Sequence, residues 1–217
     1  MYDLHMNKKI ILSNKDFDLS VYMQSDEVAI DTEALGLNLM RDRLCVVQMY
    51  FGNDVCYLLQ ISKHEKYPNF VKMLKSKKIC KVFHYGRFDI AAIYSHFNLL
   101  TQYPIFCTKI ASRIARTYTE KHGLKNLCKE LLGVDLNKEQ QSSDWGAYEL
   151  SESQKQYAAQ DVLYLFDLKS KLTEMLVREN RMHLAEQCFQ FLPTRSLLDC
   201  SGWENDDPLS WGTHYHR

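Results

Sequence analysis

Four acidic residues interrupt otherwise apolar patterns and are the groups in this sequence best placed to do chemistry. Asp31 and Glu33 stand two residues apart at the end of the apolar run Glu27–Asp31, and the period of a strand aims both side chains to one side. Asp89 follows the strand-like ICKVFHYG in the first turn of a predicted helix, where the helix dipole alone favours an acid by about 0.3–1 kcal/mol. Asp161 shares a helical stripe with Tyr157, Leu165, Leu168 and Leu172, whose apolar continuation predicts packing against a sheet. Each acid alone has an ordinary explanation: a strand end meeting solvent, a favoured helix start, or a carboxylate paired with Lys or Arg at the core edge. Converging on one side of a sheet, with no evident basic partner, they would repel one another and hold each other's pKa high. Divalent cations relieve that repulsion, and an all-oxygen donor set selects Mg²⁺ or Mn²⁺ over zinc. Two such ions roughly 3.5–4 Å apart are a recurring device for displacement at a phosphodiester.

The elements that must position these acids are legible in outline. Glu27–Asp31, Arg43–Tyr50, Asp54–Gln60 and Ile79–His84 read as strands, with Phe51-Gly52-Asn53 suiting a hairpin turn. Pro68–Lys75 and Gly86–Phe97 read as helices. From Cys107 onward the pattern is mainly helical: Thr108–Arg116, Gly123–Leu132, one long helix over Ser151–Asn180, and a further helix near Met182–Phe191 ending before Pro193. Ser151 with Gln154 three positions later predicts a capping box at the start of the long helix. Strands first and helices afterwards predict an α/β domain with helices packed around one sheet.

Composition narrows the class. The 217 residues are 46% hydrophobic and 25% charged, ordinary for one globular domain, and no apolar run is long enough to span a bilayer or to act as a signal peptide. Seven cysteines, an odd number with no C-x-x-C pair, read as thiols in a reducing compartment, so a cytoplasmic location is expected. Lys plus Arg equals Asp plus Glu, 27 against 27. Proteins gripping long nucleic acids usually carry a basic excess, so neutrality tilts a nuclease-like site toward short substrates, although Lys72–Lys81 and Arg113–Lys125 supply local basic groups.

Three ordered motifs resemble those of the DEDD 3′-5′ exonucleases: Ala29-Ile30-Asp31-Thr32-Glu33-Ala34-Leu35-Gly36-Leu37, then Val82-Phe83-His84-Tyr85-Gly86-Arg87-Phe88-Asp89, then Ser143-Asp144-Trp145 with Tyr157-Ala158-Ala159-Gln160-Asp161. Tyr-x-x-x-Asp marks the DEDDy branch, which includes bacterial ribonuclease D; the other branch has His five residues before the last Asp, where this chain has Gln156. The strings RDRLCVVQM, FCTKIASRIARTYTEKHGLK and FLPTRSLLDCSGW further resemble the short nanoRNase C group, and the likeness runs roughly from Val28 to Trp203.

The resemblance implies a ribonuclease H-like α/β fold with a mixed central sheet flanked by helices. It implies one exonuclease domain over residues 1–217, its core at about 22–180 and a C-terminal helix and tail at about 181–217. After Asn180 too few residues follow to build the accessory helical domains of full ribonuclease D. It implies two divalent cations, Mg²⁺ or Mn²⁺, held by Asp31, Glu33, Asp89 and Asp161, with Tyr157 orienting the attacking water. The implied substrate is very short RNA, chiefly dinucleotides, cut to nucleoside 5′-monophosphates by a homo-oligomer, an octameric ring. Thr32 is a further candidate for substrate binding, and Leu35 resembles an apolar wedge between two bases, or is a plain loop leucine. His84 either meets substrate or is a satisfied core histidine, and Trp145 either stacks on a base or closes the core. Lys121, His122, Lys125, Gln141, Ser142 and Ser143 offer donors for a 5′ end, or form a solvated loop. Competing readings are a ribonuclease D-like trimmer of longer RNA and a non-catalytic nucleic-acid-binding module. The stretch from Asp199, with Trp203 and Trp211, is either a loose tail or a docking segment.

Overall fold

In a computed structural model, residues 8–18, 20, 25–39, 41–136 and 143–210 are described. Six strands form one mixed sheet: β1 (Lys9–Ser13), β2 (Glu27–Ala34), β3 (Leu44–Tyr50), β4 (Val55–Gln60), β5 (Cys80–Phe83) and β6 (Ile105–Cys107), in the order β1-β4-β3-β2-β5-β6. β3 is antiparallel to both β2 and β4, while β1–β4, β2–β5 and β5–β6 are parallel pairs. The hairpin between β3 and β4 turns at Gly52, whose φ of 82° suits a residue without Cβ. β3 is buried along its whole length, as a central strand covered on both faces requires.

Around the sheet pack α1 (Pro68–Lys75), α2 (Arg87–Phe97), α3 (Thr108–Ala115), α4 (Leu124–Leu127), α5 (Glu152–Leu163), α6 (Leu165–Arg178) and α7 (Met182–Leu198). The capping box at Ser151 is present: its hydroxyl accepts from the Gln154 N–H at 3.2 Å and its own N–H donates to Gln154 Oε1 at 2.9 Å. The apolar stripe continues as expected, with Leu165, Leu168, Leu172 and Leu176 fully buried.

Four features differ from the sequence reading. β1 and β6 were not anticipated; β1 is amphipathic and half-buried at the sheet edge, and β6 has three residues, too few to display a period. The single long helix over Ser151–Asn180 is two, broken at Tyr164 (φ −98°, ψ 0°), yet the stripe keeps its phase across the break. Gly123–Leu132 begins as α4 and finishes as a π-helical turn, Cys128–Leu132. α7 does not stop before Pro193 but runs through it to Leu198, because Phe189, Leu192, Pro193 and Ser196 are all buried and packing outweighs the lost N–H. Among the described residues no helix is long and apolar enough to cross a membrane, and all seven cysteines are free thiols.

Candidate active site

β2, β5–α2 and α5 bring the four acids to one cleft of about 430 Å³. Asp31 and Glu33 leave β2 on one side, as the strand period predicts, and a register shift between Glu33 and Ala34 ends regular pairing just beyond them. β5 passes into α2 through Tyr85, at φ 64°, and Gly86. A Cβ on Gly86 would lie 2.7 Å from that of Phe83, so the turn that delivers Asp89 requires glycine. α5 supplies Tyr157 and Asp161 one turn apart.

Oxygens of Asp31, Glu33 and Asp161 all lie within 4.8 Å of one another. Asp89, buried, accepts a 2.7 Å hydrogen bond from the hydroxyl of Thr32, which also lines the cleft. Burial, then the neighbouring acids, holds the Asp31 carboxyl well above the usual range and pushes Glu33 up to about 9. Burial raises Asp89 to about 7 against the opposing pull of the Thr32 hydrogen bond. Hard oxygen donors packed this closely, with Asp31, Glu33 and Asp89 resisting ionisation, fit divalent cations of the Mg²⁺ or Mn²⁺ kind. Tyr157 hydrogen-bonds Asp161, and burial followed by the charge of Asp161 keeps its phenol protonated far beyond neutral pH.

His84 also lines the cleft. Its Nδ1 lies 2.9 Å from the Thr108 hydroxyl, whose own proton points to the Phe83 carbonyl at 3.2 Å. Nδ1 therefore carries the hydrogen and Nε2 is left as an acceptor. Burial, reinforced by Lys109, lowers the imidazole to about 3, so it is neutral. Lys125 reaches the cleft as well, paired with Asp135 at 3.3 Å.

Other predicted contacts lie elsewhere. Leu35 is 53% exposed and abuts Gly146, outside the cleft lining. Trp145 is buried behind the site, its ring 6.0 Å from that of Tyr157, which favours core closure over base stacking. His122 is a satisfied core histidine, its Nδ1 2.8 Å from Ser112 Oγ. Lys121 is exposed and gives its carbonyl to Arg116 at 3.1 Å, and Ser143 is half-buried outside the cleft. Gln141, Ser142 and Trp211 lie outside the described residues. The lining also takes in residues that were not anticipated, among them Tyr85, Phe88 and Lys109, whose ammonium sits 3.6 Å from the Tyr85 ring centroid. Tyr85 and Phe88 were in view inside the second motif, and Lys109 inside the string FCTKIASRIARTYTEKHGLK and the predicted helix Thr108–Arg116, but nothing local marked any of them as facing the acids.

Residues 11–177 match the family described as 3′-5′ exonuclease. The chain belongs to that family. Ribonuclease D of Bartonella henselae is 32% identical to this exonuclease over 177 residues, 81% of the chain and 43% of the relative, so the chain spans about half the length of the curated relatives it matches. Brucella melitensis NrnC is 51% identical, with 94% of this chain and 99% of that one covered at a TM-score of 0.90. Structures of the Brucella protein bound to pGG and with bound Mg²⁺ match at TM-scores of 0.90 and 0.88. Escherichia coli RNase D, 25% identical, matches 88% of the exonuclease and 51% of its own chain at a TM-score of 0.76. The expected architecture, a mixed sheet flanked by helices, is the fold these structures share.

The raised carboxyls make the cation-free exonuclease sensitive to pH. A group whose folded pKa exceeds its unfolded value binds protons more tightly when folded, so its stabilisation is complete at low pH and is lost as pH rises through the folded value. For Glu33 that window runs from 4.5 to about 9, and for Asp89 from 3.8 to about 7. Melting temperature in chelator should therefore fall as pH rises from about 5 to about 9, and added Mg²⁺ should restore it most at the alkaline end. A flat or rising profile in chelator would remove carboxylate repulsion from the account.

Proposed function

We propose that this chain is a metal-dependent 3′-5′ exoribonuclease that hydrolyses very short RNA, chiefly dinucleotides, to nucleoside 5′-monophosphates. The observation that carries the reading is the cluster of Asp31, Glu33 and Asp161, with Tyr157 bonded to Asp161, in a cleft of about 430 Å³. That volume suits a ligand of one or two nucleotides. The likeness to the Brucella protein bound to pGG, 50% identical over 94% of this chain, supports the dinucleotide preference.

Asp31, Glu33, Asp89 and Asp161 would hold two divalent cations, which when bound supply Lewis-acid activation of water and neutralise charge on the leaving oxygen. The protonated Tyr157 hydroxyl orients the water, since a phenol held this firmly protonated is not a base. Lys109 and Lys125 bring positive charge to the cleft wall, where a phosphate would lie. Neutral His84 offers Nε2 as an acceptor for a sugar hydroxyl. Leu35, exposed and outside the cleft lining, is the residue that would separate the terminal base from its neighbour once substrate is bound.

Copies assemble into a ring, an octamer, in a cytoplasmic setting suited to seven free thiols. Exposed Val177, Leu184, Phe191 and Trp203 support a covered face on the C-terminal helices, and sedimentation velocity would count the copies.

The function is tested by digesting 5′-labelled RNAs, from the dimer to long oligomers, with Mg²⁺, with Mn²⁺ and with chelator. The dimer should disappear far faster than any longer RNA, and chelator should stop it. Stepwise shortening of long RNA at equal or higher rates would favour the trimming activity of a ribonuclease D, and no cleavage at any length would leave a binding module.

A further inference from the structure

Gln48 is the one carboxamide in β3, a strand otherwise written Leu44, Cys45, Val46, Val47, Met49 and Tyr50. It is fully buried, and neither Nε2 nor Oε1 has a hydrogen-bond partner. An unsatisfied buried amide opposes folding, and leucine or methionine would fill the same space without that penalty. Its place in the sheet is specific. Gln48 is the cross-strand partner of Asp31, with apolar Leu58 on its other side. Directly opposed residues of an antiparallel pair project to the same face, so Gln48 and Asp31 leave the sheet side by side on the face of the acids. Tyr50, two residues along on that face, stacks on Phe166 of α6 at 5.6 Å. The cover over Gln48 is therefore the α5–α6 layer that carries Tyr157 and Asp161.

We propose that Gln48 is a positioning residue that donates its carboxamide N–H to the outer oxygen of Asp31 when that carboxylate is engaged by cations. The donor this role needs is neutral. Lys or Arg at position 48 would neutralise the acids and compete with divalent cations, whereas an amide orients the ligand and leaves its charge available. Partners of this kind typically change metal affinity by about 10- to 100-fold. The inference rests on the metal-site reading given above.

The test is Mn²⁺ titration of the full chain by calorimetry, together with thermal melting in chelator, for wild type, Gln48→Met and Gln48→Leu. Both variants should melt higher than wild type without metal, because an orphaned amide is gone, yet bind Mn²⁺ about tenfold or more weakly. Their lost turnover should return as Mn²⁺ is raised. A residue that merely packs would change melting alone, so variants binding Mn²⁺ within twofold of wild type overturn the proposal. Should neither variant fold, the amide is required for packing and the proposal fails on that ground. Wild type that binds no Mn²⁺ overturns the metal site itself, an outcome separable because it involves no variant.

Discussion

Asp161→Asn should lower turnover by about three orders of magnitude while raising the melting temperature of the cation-free protein. The oxygen at this position lies within 4.8 Å of oxygens from Asp31 and Glu33, so its charge is what draws a cation and what destabilises the empty cluster. Metal stabilisation of a transition state is worth several kcal/mol, and each 1.36 kcal/mol is about tenfold in rate. The neutral isostere keeps the shape of the side chain and its place on α5, so the loss reports charge rather than collapse. In chelator the same change relieves repulsion on Glu33, for which Asp161 is the largest cause after burial. At this chain length each kcal/mol relieved is worth about 2–4 °C. Single-turnover hydrolysis in saturating Mg²⁺ and melting in chelator read the two effects. Turnover near that of wild type would remove Asp161 from the site.

Tyr157→Phe should slow kcat by about 10- to 100-fold, the worth of one hydrogen bond to a charged group, and leave Mn²⁺ affinity within a few-fold of wild type. The ring would stay in place, since Trp145 backs it at 6.0 Å and α5 is fixed by its capping box. What goes is a hydroxyl bonded to Asp161 and held protonated by burial and that same charge. The tyrosine should therefore contribute no limb to the pH–rate profile below the alkaline range, and the variant's profile should keep the shape of the wild-type one. A large fall in metal affinity, or an unchanged kcat, would sink the water-orienting role.

The four acids were readable because each violates a pattern: two end an apolar strand, one opens a helix, and one sits on a stripe whose other members, Leu165, Leu168 and Leu172, are fully buried. What the sequence could not separate was a polar residue's service to the core from its service to a ligand. His122 and Trp145 looked like ligand contacts, but the first is occupied by Ser112 and the second is buried behind Tyr157. Both distinctions depend on how separate elements pack, which the local pattern does not carry. Periodicity likewise carried the stripe across Tyr164 without revealing the break, because a two-helix joint that preserves phase leaves no mark in a hydrophobic pattern. Pro193 misled for the opposite reason: its local preference is strong, and only the tertiary burial of its neighbours overrides it.

The π-helical turn Asp199–Trp203 follows α7, and the chain there is tied down. Asp199 takes both nitrogens of the Arg87 fork, at 2.6 and 2.7 Å, and a third bond from Arg195 at 2.8 Å; Arg87 also holds the Glu204 carbonyl at 3.0 Å. Arg87 opens α2 two positions before Asp89, and Ser196 binds its carbonyl at 2.9 Å. A stretch that looks like an appendage is thus a strut under the helix presenting one of the four acids. The family match ends at residue 177, so a fragment trimmed to it would keep every acid and lose the brace. Motif boundaries mark where the chemistry is written, whereas the contacts that brace the start of α2 reach past residue 198.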